Sequence, residues 1–147
     1  MATVCSVAPG DVVNILVRGD NNVEKQRYCV IMERVPPGMP SFVLAMFCCE
    51  KTKFRASPNE VFRIDGNATI KTMNLDFSSS FHQEDVVAAA GTSPNLKKIG
   101  WTPRNEMEQL KRMYQVWKAQ KRMPKFSPER QPATILASVA KHLGVPE

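Results

Sequence analysis

Apolar positions in this chain fall into short dense runs towards the front and into helically spaced stripes towards the end. Gly10-Asp11 is a turn that runs into a first strand through Val17. Tyr28 to Val35 and Phe42 to Cys49 are rich in β-branched, aromatic and sulfur-bearing side chains, and a Pro-Pro-Gly-Met-Pro connector separates them. Proline has no N–H for a ladder and glycine permits a tight bend, so the connector predicts a turn between two strands. Both runs are nearly continuous rather than alternating, which predicts strands buried on both faces, as in a small barrel. A third short strand, Glu60 to Ile64, follows the turn signal Ser57-Pro58-Asn59, and loose alternation from Ala68 to Leu75 predicts another. Phe77 to Leu96 has two readings: Ser78 to Ser80 can cap a short helix over Gln83 to Ala90 that Gly91 ends, or the segment is a loop.

Helical periodicity takes over after that. Thr102 is a good N-cap, Pro103 suits the first helical position, and Met107, Leu110, Met113, Tyr114 and Trp117 recur at three- and four-residue spacing. Arg104, Lys111, Lys118 and Arg122 form a neighbouring basic stripe, and Pro124 ends the helix. Near the C-terminus, Ile135, Leu136, Val139, Ala140 and Leu143 mark one side of a second helix stopped by Gly144. The fold class is therefore mainly β with C-terminal helices: a small SH3-like β-barrel plus a basic amphipathic helix and a short terminal helix. The expected division is a barrel domain over residues 1–96 and a basic helical extension packed on it over residues 97–147.

Charge sharpens that division. Nine Lys and Arg stand against ten Asp and Glu up to Leu96, whereas from Lys97 to Arg130 there are ten against three. The net charge of +6 thus comes from the helical segment alone. The expected role of Arg104, Lys111, Lys118 and Arg122 is contact with phosphates or an acidic surface, with counterion release as the driving term. Trp101, Tyr114 or Trp117 would add stacking where exposed, although amphipathic spacing makes these aromatics core by default.

With 147 residues, 43% of them hydrophobic, the chain can bury one sizeable core. No apolar run approaches the roughly 18 residues of a membrane span. The first ten residues lack the basic start and apolar core of a secretory signal, so the expectation is an intracellular protein with reduced thiols and no membrane contact. Cys5, Cys29, Cys48 and Cys49 contain no CxxC pair, and His82 and His142 lie at no metal-binding spacing, so no metal or cofactor is expected. An enzyme using Cys48 or Cys49 with His82 lacks a clustered base and orienting acid, and the chain is read as non-catalytic.

The order of these pieces resembles the first half of a bromo-adjacent homology (BAH) domain, a chromatin module built on a β-barrel. The resemblance rests on Gly10-Asp11-Val12-Val13 and on Tyr28-Cys29-Val30-Ile31-Met32-Glu33-Arg34-Val35. It continues in Phe47-Cys48-Cys49-Glu50-Lys51-Thr52 and Asn59-Glu60-Val61-Phe62, and it covers about half of the chain. Members that read methylated lysine surround the ammonium with aromatic rings. Here Tyr28 matches one ring, but Ala45 stands at the place of another, and Arg63, Ile64 and Gly66 stand where further rings would be, so the cage is incomplete.

The resemblance implies a nuclear, chromatin-associated interaction module that binds a protein or nucleosomal surface, with a peptide-binding rim at Tyr28, Phe47 and Arg63. Nucleic acid would be met through the basic helix. The alternative is a small basic nucleic-acid-binding protein, cellular or viral, with an SH3-like barrel.

Overall fold

The computed structural model describes residues 7–18, 23–34, 41–49, 61–91, 96–128 and 135–146. Strands β1 (Asp11–Arg18), β2 (Glu24–Arg34) and β3 (Phe42–Cys49) form an antiparallel meander. They continue into β5 (Ser79–Ala90) and β4 (Val61–Ile64), and β6 (Gly100–Trp101) pairs with β1 at the far edge. The sheet order is β4-β5-β3-β2-β1-β6, and β7 (Lys125–Phe126) lies parallel to β5. β3 pairs with β5 at Val86–Ala90 and, past an irregularity between Met46 and Cys48, at Ser80 and Phe81, and β4 and β7 share the other edge of β5, at Ser79–His82 and Val87–Ala88 respectively. The sheet curls into a half-barrel, and both of its edges use strands from the C-terminal half or next to it.

Alternation along the strands sorts the core into two clusters. Val12, Val30, Leu44, Met46, Cys48, Phe81 and Ala88 face all three helices: α1 (Asn67–Met73), α2 (Arg104–Ala119) and α3 (Ile135–Leu143). Val13, Ile15, Cys29, Ile31, Val43, Ala45, Phe47 and Val87 face the other way and gather Val7 and Leu96. The near-continuous apolar runs of β2 and β3 are thus buried on both faces, and β3 spans the residues that its hydrophobicity marks out.

Ala68 to Leu75 does not form a strand. Asn67–Met73 is a helix, entered from an extended Gly66 and closed by Asn74, whose left-handed backbone (φ 60°) directs its N–H back to Ile70 and Lys71 carbonyls. The apolar positions Ala68, Ile70, Met73 and Leu75 mix two- and three-residue steps, so one short window satisfies either period. Gln83 to Ala90 is neither a helix nor a loop; it belongs to β5, inside the sheet. Ala88, Ala89 and Ala90 look helical alone, but they pair with Leu44, Val43 and Phe42, and pairing outweighs their local preference.

Helix α2 begins one residue later than Thr102 suggests. Pro103 is its N-cap, without a side-chain cap bond, and Thr102 instead donates its N–H to Gly10 O at 2.9 Å. Leu136 is exposed, so the buried side of α3 is Ile135, Val139 and Leu143. Gly144 takes a positive φ of 67° at the helix stop. The Pro-Pro-Gly-Met-Pro connector, Val35, Ser57-Pro58-Asn59, Glu60, Glu50-Lys51-Thr52 and Cys5 lie outside the described residues.

Candidate polyanion-binding surface

Helix α2 buries Met107, Leu110, Met113, Tyr114 and Trp117 against the sheet, as its periodicity requires. Tyr114 and Trp117 stack on each other with centroids 5.7 Å apart, and burial removes both from any surface contact. Arg104, Lys111 and Arg112 are exposed on the outer side of the helix, and Arg122 is exposed just beyond its end. Glu108 shares the exposed face. Arg104, Lys111 and Arg122 of the four expected contact residues are therefore exposed, as is Arg112.

Lys118 takes a different role. Four residues after Tyr114, it lies at the margin of the buried stripe, and its Nζ reaches Glu33 Oε1 at 2.7 Å. The other carboxylate oxygen of Glu33 is 2.8 Å from His142 Nε2 on α3. A register shift between Ile31 and Glu33 pairs Glu33 with Leu44, a residue of the helix-covered face. A bulge thus aims an acid of β2 at two helices. Burial pushes the Glu33 carboxyl up, but Lys118, Tyr114 and His142 together outweigh it and hold the group below its ordinary value. The Tyr114 hydroxyl is buried near this carboxylate without forming an aligned hydrogen bond, and burial, then the charge of Glu33, push it upwards.

The three rim residues do not converge. Tyr28 packs on the helix-covered cluster, its ring edge-on to Phe77 at 6.0 Å, and its hydroxyl donates to Asp76. That hydrogen bond, more than burial, pushes the phenol up to about 12. Phe47 belongs to the opposite cluster, and Lys125 Nζ sits 5.5 Å from its ring centroid. Arg63 is held by Asp65 Oδ1 at 2.9 Å and Ser80 Oγ at 3.0 Å. The Tyr28–Phe77–Asp76 grouping escapes sequence reading because 48 residues separate the phenol from its acceptor.

Among the described residues, Trp101 is the aromatic that the surface does present, 54% exposed on β6. Its backbone is pinned from both sides: Ile99 N–H donates to Val12 O at 2.8 Å and Thr102 N–H to Gly10 O at 2.9 Å. Gly100 faces the C-terminal end of α1, where a Cβ would meet Met73 O at 2.3 Å, so Trp101 is turned the other way. Exposed Lys97, Lys98 and Arg104 flank it in the chain. Trp117 is buried by the periodicity of α2, whereas Trp101 lies ahead of that helix on β6, where its exposure follows from the pairing of β6 with β1 and not from helical spacing.

Cys48 shares the helix-covered face with Phe81, and His82, the next residue of β5, points to the other face, so thiol and imidazole are not brought together. Burial above all, then the neighbouring Cys48, pushes the Cys29 thiol well above its ordinary range, which leaves it protonated. Among the described residues no group of three or more His, Cys, Asp or Glu could hold a metal ion, and no helix is long and apolar enough to cross a membrane. No protein-family model matches the chain, and no curated protein matches it.

Proposed function

We propose that this protein is a non-catalytic interaction module of the BAH type, acting in the nucleus, that docks on chromatin or a chromatin-associated protein through α2. One observation carries the reading: α2 commits its whole apolar stripe to the sheet while Arg104, Lys111 and Arg112 on it, and Arg122 just beyond its end, stay exposed. Cations grouped on a rigid, packed helix form a field that attracts phosphates or an acidic protein surface without local unfolding. Lys118 is left out of this surface because Glu33 holds it. The resemblance in the first half of the chain favours a nucleosomal partner over naked nucleic acid.

Titration against mononucleosomes and against free DNA of equal length, at low and near-physiological salt, tests this. Preference for the nucleosome that survives the higher salt is the expected result. Equal affinity that collapses with salt would replace the chromatin reading by that of a small basic nucleic-acid-binding protein. Binding to neither would make the basic face a solvated one and overturn the proposal.

A further inference from the structure

Among the described residues, the exposed large apolar side chains are Val23, Trp101, Val116 and Leu136. Three of them are aliphatic, so Trp101 alone in that group offers a π-face. An exposed indole is normally left free to choose rotamers on a mobile loop, yet here the backbone on both sides is bonded into the sheet edge and Gly100 is wedged against α1. A ring carried by such a fixed support loses little freedom when a flat ligand lies on it. Cations flank it in sequence, and one is tied to its neighbour strand: Lys98 Nζ is 3.4 Å from Asp11 Oδ1, and Asp11 is the cross-strand partner of Trp101. Lys97 and Arg104 are exposed on either side of it in the chain. Asp11 is the acid within this group; it is 13% exposed and already serves Ala8 N–H and Lys98.

A rigid aromatic face among cations has the two features needed to hold an unpaired nucleobase and its phosphates. We infer that Trp101 is a base-stacking platform for single-stranded nucleic acid, with Lys97, Lys98 and Arg104 contacting the backbone on either side of the stacked base. A duplex does not meet this requirement, because its bases already stack on each other and present only their edges. The inference rests on the proposed polyanion-binding role of the adjoining α2 surface and names the class of nucleic acid that its N-terminal end would accept.

Intrinsic fluorescence gives the test, because the two tryptophans differ in environment: Trp101 is exposed and Trp117 is buried. The full chain would be titrated with an oligothymidine of about ten nucleotides. The expected result is quenching of the solvent-exposed emission, absent in Trp101→Phe, where the remaining signal comes from Trp117. Trp101→Ala should weaken binding by roughly tenfold or more, and Trp101→Phe should keep most of the affinity because a ring remains. Circular dichroism should report an unchanged fold for both variants, since the side chain is mostly outside the core. Binding without quenching, or with equal affinity for Trp101→Ala, would overturn the stacking role. Failure to bind the oligonucleotide at all would overturn it too. In either case salt-dependent binding to nucleosomes that weakens in Lys111→Gln would leave the α2 surface reading standing, whereas loss of that binding as well would remove both.

Discussion

Lys118 Nζ lies 2.7 Å from Glu33 Oε1, so a cation that the helix periodicity places in a surface stripe is instead a tie between α2 and β2. The same carboxylate reaches His142 on α3, which makes one acid the shared anchor of two helices. Both side chains of the Lys118–Glu33 pair are less than one-third exposed, so the pair is better shielded from water and salt than an ordinary surface ion pair.

Replacing that acid should cost stability in a pH-dependent way. Glu33→Gln should lower stability at neutral pH by about 1–3 kcal/mol, as loss of hydrogen bonds to charged groups does. The carboxyl is held below its ordinary value of 4.5 in the folded chain, so its contribution is present above that pH and is lost as pH falls through the lower folded value. The gap in melting temperature between wild type and Glu33→Gln should therefore narrow in acid. A gap that stays constant down through that range would show that the ionised form is not what α2 and α3 hold.

The basic residues of α2 should separate by role. Lys111→Gln and Arg122→Gln should each flatten the salt dependence of duplex DNA binding by about 0.9 in logarithmic slope while leaving the melting temperature nearly unchanged. Lys118→Gln should do the reverse, lowering the melting temperature with the slope intact. Equal slope changes for all three would mean that Lys118 leaves Glu33 to bind the ligand.

Gly100 is a close-approach glycine. A Cβ there would lie 2.3 Å from Met73 O and 2.5 Å from Met73 C, which are backbone atoms that cannot swing aside. Gly100→Ala should cost about 2 kcal/mol or more and loosen β6 from β1. Thermal unfolding, together with hydrogen exchange at Thr102 N–H, measures both effects; wild-type values for both would refute the close contact.

Val43 is 1% exposed on the face opposite the helices. Val43→Asp should destabilise the fold by about 4 kcal/mol or more, because a charge would enter the core unpaired. Phe47→Asp, on the same face, should act alike. A cooperative melt at the wild-type temperature for either variant would contradict the placement of β3.

Local patterns were legible where one period dominated a long enough window. The five apolar residues of α2 at three- and four-residue spacing and the eight-residue apolar run of β3 needed no knowledge of neighbours to be placed. Ala68 to Leu75 was too short for its mixed spacing to choose a period, and Asn74 turned it into a capped helix. Ser79 to Ala90 misled more deeply, since its serines, acids and alanines are residues of helix starts and helix interiors. Its strand conformation is imposed by β3 on one edge and by β4 and β7 on the other.

The candidate surface divides in the same manner. Charge segregation after Leu96 and the exposure of Arg104 and Lys111 follow from composition and helical phase. The diversion of Lys118, the splitting of Tyr28 and Phe47 between two faces, and the exposure of Trp101 on β6 do not. By itself, the sequence determined where chain segments are apolar, with what period, and where positive charge accumulates, because these are properties of residues a few positions apart. Tertiary structure alone decided which strand Ser79–Ala90 would join, which helices Glu33 would meet through its bulge, and that Trp101 would remain in water at the edge of the sheet. Each of those outcomes is set by a partner dozens of residues away, and no local periodicity encodes the pairing.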